Sequence, residues 1–116
     1  MKKGVIVLLL LLVAGCNYTP TKSENVGDEF YEFGLISLEI ADLRLDSRIH
    51  EVGPLVRTRY ELLPHIQNNL LPHATEEEQE IYSLFLEIAT CGIMSDKDCL
   101  LRARNDLAVL LGRQQR

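Results

Sequence analysis

Three cysteines, three histidines and a surplus of carboxylates are the side chains here that could do chemistry. Cys91 and Cys99 fall at the end of one predicted helix and in the first turn of the next, with seven residues between them. That spacing is not the Cys-x-x-Cys that lowers a thiol pKa for redox exchange. Nor does it come with the further ligands at recognised spacings that a zinc site needs. A disulfide that staples a helical hairpin is therefore the expected chemistry.

His65 and His73 close two copies of Leu-Leu-Pro-His, at 62–65 and 70–73. With a carboxylate as third ligand they could hold a metal. The plainer reading is a polar residue beside a proline at a turn, and no metal is assigned. Glu32, Glu39, Asp42, Asp46 and His50 share one narrow side of a helical wheel. They suit either a basic partner or a solvated helix face.

Enzyme motifs do not occur. The sequence contains no Gly-x-Ser-x-Gly, Ser-x-x-Lys or His-Glu-x-x-His and no phosphate-cradling glycine loop. Carboxylates abound, but on a helix surface nothing separates their pKa values into an acid and a base. No catalytic residue and no cofactor are expected.

The elements that must position these groups are helices. Between Asp28 and Val52, alternation at Ile36, Leu38 and Ile40 suggests a strand, yet at about 100° per residue the acidic positions gather on one side, which favours a helix. Gly53-Pro54 should end it and open a second helix, with Leu55, Val56, Tyr60 and Leu63 inward and a break or kink at Pro64. A short helix between Pro64 and Pro72 follows. Thr75 with Glu78 forms a capping box for the third helix, whose inward residues are Ile81, Leu84, Phe85, Ile88 and Ala89 and whose end is Gly92. The fourth starts at Ser95, buries Leu100, Ala103, Leu107, Leu110 and Leu111, and stops at Gly112. The predicted fold is all-α: a small four-helix bundle over residues 28–112 with a stapled C-terminal hairpin, and a frayed tail at 113–116.

The N-terminus differs in kind. Met1-Lys2-Lys3, an apolar run from Val5 to Val13 and then Ala14-Gly15-Cys16 have the layout of a signal peptide over residues 1–15. The apolar run is about half of the roughly 20 residues that a membrane-crossing helix needs. Val13-Ala14-Gly15-Cys16 resembles the lipobox of bacterial lipoproteins. The resemblance covers only the first sixteen residues and implies cleavage before Cys16 and acylation of that cysteine. Each buried methylene contributes about 0.8 kcal/mol, so two or three acyl chains would anchor the protein almost permanently. With Asn17 rather than Asp after the cysteine, the resemblance further implies the outer membrane, with the domain in the periplasm. Residues 16–27 are expected to be a lipidated tether.

Cleavage would leave ten Lys and Arg against seventeen Asp and Glu, a net charge of −7. An acidic body is repelled by nucleic acid, so none is expected as a partner. The partners expected are the membrane, through the lipid, and another envelope protein. Such a protein would dock in a groove at the irregular segment, where Leu62, Leu63, Ile66, Leu70 and Leu71 are more apolar residues than a short helix needs. The other reading is that all five cover the base of the bundle. The function so expected is a non-catalytic, membrane-tethered module that holds or pilots an envelope protein. Small helical lipoproteins that pilot secretion-channel subunits are similar in these gross features. The alternative is an inhibitor, immunity or exclusion lipoprotein acting against a toxin, a phage or a conjugating cell.

Overall fold

The computed structural model describes residues 23–116. The expected signal peptide, Cys16 and most of the expected tether lie outside the described residues. Four α-helices follow one another, with no strand among the described residues: α1 Asp28–Leu45, α2 Gly53–His65, α3 Glu76–Ile93 and α4 Lys97–Leu110. The chain is all-α, as its patterning predicts, and none of these helices is long and apolar enough to cross a membrane.

The core joins α1, α3 and α4. Phe30, Phe33, Leu38 and Ala41 meet Ile81, Leu84, Phe85 and Ile88, and α4 closes the packing with Leu100, Ala103, Leu107 and Leu111. Gly34 lets α1 pack closely on Leu111, the C-cap of α4, since a Cβ there would stand 2.8 Å from Leu111 Cδ2. Helix α2 sits to one side, in a second, smaller cluster in which Val52, Leu55 and Val56 pack on Ile36, Ile40 and Leu43 of α1.

One carboxylate caps two helices. Thr75 Oγ1 accepts from the Glu78 amide at 3.1 Å and Glu78 Oε1 accepts from the Thr75 amide at 2.9 Å, the capping box of α3. The other oxygen, Oε2, accepts from the amide of Gly27 at 2.7 Å, and Gly27 is the N-cap of α1, with no side chain to cap for itself. Thr75 Oγ1 in turn donates to the Asn25 carbonyl at 2.7 Å. The first turns of both helices are acidic, which suits their positive dipole ends. This tie corrects the C-terminal bound of the expected tether: Val26 is buried in the core and Asn25 and Gly27 are bonded to the head of α3, so residues 25–27 belong to the domain.

Helix α1 ends at Leu45, seven residues before the expected Val52. Ser47 adopts φ 60°, and the amide of Arg48 donates to the Leu43 carbonyl at 2.7 Å, a Schellman closure built on serine. Serine also ends α3: Ser95 has φ 55° and the Asp96 amide donates to the Cys91 carbonyl at 3.1 Å. Gly92, the expected terminator, lies inside α3 against the side chain of Arg44. The N-cap of α4 is accordingly Asp96 rather than Ser95, its carboxylate accepting from the Cys99 amide at 3.1 Å. A left-handed serine stores strain that glycine would not, so Ser95→Gly should raise stability by about 0.5–1 kcal/mol. Urea unfolding of the two proteins measures it; equal or lower stability would show that the serine conformation costs nothing.

The C-terminal tail is tied down rather than frayed. Arg104, 7% exposed, grips Asp42 through Nε at 2.7 Å and Nη2 at 3.3 Å, and Nη1 donates to the Gln114 carbonyl at 2.7 Å. Arg116 completes the clasp on Asp42 and Asp46, at 3.0 and 2.6 Å, and its amide donates to Asn105. The Arg116 guanidinium holds the Asp46 carboxyl below the usual carboxylate range. Two members of the acidic stripe thus have internal partners, while Glu32, Glu39 and His50 remain exposed.

Candidate functional site

Pro64 is accommodated inside α2, and the chain widens after it into a π-turn at Ile66–Leu70 and then a 3-10 turn at Leu71–His73. Proline supplies no N–H for the helical ladder, and a π-turn is a regular way to absorb such a defect. The five residues predicted to bind a partner separate here. Ile66 is 1% exposed and belongs to the core, so it has no surface to offer. Leu62, Leu63, Leu70 and Leu71 are half-buried against that core. Of these, Leu70 and Leu63 each line a different concavity.

The larger concavity, about 620 Å³, lies between the start of α1 and the π-turn, and Asp28, Glu29, Asn69, Leu70 and His73 are among its walls. His65 beside it is fully engaged. Its Nδ1 accepts from the Asn69 amide nitrogen at 2.8 Å and its Nε2 donates to Glu29 Oε2 at 2.7 Å. With both ring nitrogens occupied, the imidazole has no lone pair for a metal. No group of three or more possible metal ligands occurs among the described residues. The repeated Leu-Leu-Pro-His does not bring His65 and His73 into one such group.

The second concavity is a groove of about 140 Å³ between α2 and α3, which scarcely touch each other elsewhere. Val56, Tyr60 and Leu63 of α2 face Phe85 and Ala89 of α3 across it. Tyr60, predicted to point inward, is 74% exposed on the rim. At about 100° per residue, Leu86 and Ile93 lie on the same edge of α3 as Ala89. Both are exposed, Ile93 at 85%, and they carry the apolar stripe on toward the end of the helix.

Arg59 lines this groove and is only 8% exposed. Its guanidinium lies 4.7 Å over the centre of the Phe85 ring, and Nη1 donates to Ser37 Oγ at 3.4 Å. Among the described residues the arginines held in ion pairs are Arg48, Arg104 and Arg116, and no carboxylate reaches Arg59. Burial, with the nearby charge of Arg44 adding to it, pushes Arg59 down to about 10. It is still a cation at neutral pH. The groove therefore combines apolar walls with one desolvated positive charge.

Arg59 has a signal in the sequence, which motif and composition reading passes over. Val52, Leu55, Arg59, Leu62 and Ile66 follow the 3-4-3-4 spacing of a buried helix face, and an arginine occupies its centre. The disulfide pairing, in contrast, is where the spacing puts it, joining Cys91 and Cys99 with their Cα atoms 5.7 Å apart. No protein-family model, curated protein or solved structure matches the chain.

Proposed function

We propose that this chain is a lipid-anchored, non-catalytic interaction module of the bacterial envelope, which holds or pilots another envelope protein. The observation that carries the reading is the open groove between α2 and α3. Tyr60 stands exposed on the groove's rim, and Leu86 and Ile93 are exposed on the adjoining edge of α3, a surface on which an amphipathic helix could bury its apolar face. The anchor rests on the lipobox resemblance at Val13–Cys16. An outer-membrane address facing the periplasm rests on Asn17.

Photo-cross-linking in cells tests the module directly. A benzophenone amino acid at position 60 should cross-link an envelope protein, and the same probe at exposed Arg102 on α4 should not. Equal yields from both positions, or none from either, would remove the groove from consideration. The anchor has its own test: Cys16→Ser should abolish acylation and leave the precursor unprocessed, as should globomycin in the unsubstituted protein. Normal processing under globomycin would sink the lipoprotein assignment.

A further inference from the structure

We infer that the occupant of the α2–α3 groove is an amphipathic helix of a partner protein that carries a carboxylate on its apolar face, and that Arg59 receives this carboxylate. The inference rests on the interaction-module reading and specifies the partner's chemistry. It starts from a contrast within the molecule. Among the described residues, Arg104 and Arg59 are the two cations that the fold buries, 7% and 8% exposed. Arg104 has the Asp42 carboxylate in bidentate contact, the usual condition for taking an arginine out of water. Arg59 has a hydroxyl and a ring face. A desolvated charge without a counter-charge is costly, and it is placed where the fold opens onto a groove.

The walls identify the bearer of the missing anion. Val56, Tyr60, Leu63, Phe85 and Ala89 surround Arg59 with apolar surface. A free inorganic anion would make no use of that surface. From Phe85 to Ile93 the stripe on α3 runs about 12 Å, or roughly two helical turns. That length matches a helix presenting apolar residues at i, i+3 or i+4, and i+7 with one Asp or Glu among them. Residues 17–22, Asn-Tyr-Thr-Pro-Thr-Lys, contain no carboxylate and cannot serve as an internal occupant.

A phage-displayed library of helical peptides, panned against the full-length chain in detergent micelles, supplies the probe. Enriched peptides should share an apolar i, i+3/i+4, i+7 frame that includes an Asp or Glu. With one such peptide, Arg59→Met should weaken binding by roughly 30-fold or more. Exchanging the peptide's carboxylate for the amide should do the same while leaving the protein untouched. The two changes together should cost no more than either alone, because both remove one ion pair. The thermal midpoint of Arg59→Met should stay level or rise, since the variant loses an uncompensated buried charge. Tyr60→Ala should weaken the same peptides at unchanged stability.

Enriched peptides without an acid would overturn the proposal, as would unchanged binding by Arg59→Met or selection of no peptide at all. So would a clear fall in that variant's midpoint, which would make the arginine a structural strut. Self-association through the groove, seen as a dimer that Tyr60→Ala dissolves, would assign it to a second copy instead. Cross-linking from position 60 that succeeds while the peptides bind without a carboxylate would overturn this inference alone. Failure of that cross-linking would remove the module reading as well.

Discussion

Ile66→Ala should destabilise the domain by about 2–5 kcal/mol, the range for truncating a fully buried aliphatic residue. At about 4–8 °C per kcal/mol for a domain of this size, the thermal midpoint should fall by at least 10 °C or so. The size of the effect comes from position. Ile66 is the first residue of the π-turn, and it is the residue of the irregular segment that the core takes in fully. Ile66 is thus the turn's one fully buried anchor, with Leu70 and Leu71 only half-buried against the core beside it. Leu70→Ala, four residues on, removes a half-buried side chain that borders open space and should cost about 1 kcal/mol. Thermal unfolding of the two variants side by side decides the matter. Similar losses would mean that the segment is a uniform cover over the base of the bundle, with no division between a core anchor and exposed neighbours.

Loss of the Cys91–Cys99 disulfide should cost about 2.5 kcal/mol, the chain-entropy value for so short a closed loop. The bond links the last turn of α3 to the first turn of α4, with Cys91 completely buried and Cys99 half-buried. Cys91→Ala with Cys99→Ala should therefore lower the unfolding free energy measured in urea by this amount, and reductant should lower that of the unsubstituted protein equally. Thiol-reactive maleimide should label neither position in the native oxidised protein. Labelling of both would mean that the staple does not form.

The parts of this fold that were legible in the sequence are those decided by near neighbours. Thr75 and Glu78 are three residues apart and form the capping box that this spacing implies, and Cys91 and Cys99 pair across one turn. Gly53-Pro54 opens α2 as expected. The ends of α1 and α3 were not legible, because Ser47 and Ser95 fill a left-handed position usually marked by glycine. The tail was misread because its partners Asp42 and Asp46 lie 62 or more residues before Arg104 and Arg116, and only the folded bundle brings them together. The candidate site was half legible. The segment from Leu62 to Leu71 does border two concavities, but the groove that carries a buried charge is made by Arg59 and Tyr60 against Phe85. Those residues meet only because α2 leans on α1 and stands off from α3.

The shared cap at Glu78 has a mechanical consequence. In an anchored chain, any pull on the lipid enters the domain at Ser23. The seven-residue stretch of sequence from Cys16 to Ser23 can span at most about 25 Å. Tension then reaches Asn25 and Gly27, which are bonded to Thr75, Glu77 and Glu78 at the head of α3. The load is divided there between two helices before it can peel α1 from the bundle. A domain held at its N-terminus would give first at this small clasp, while the groove walls of α3 begin at Phe85, seven residues or about 10 Å further along the helix.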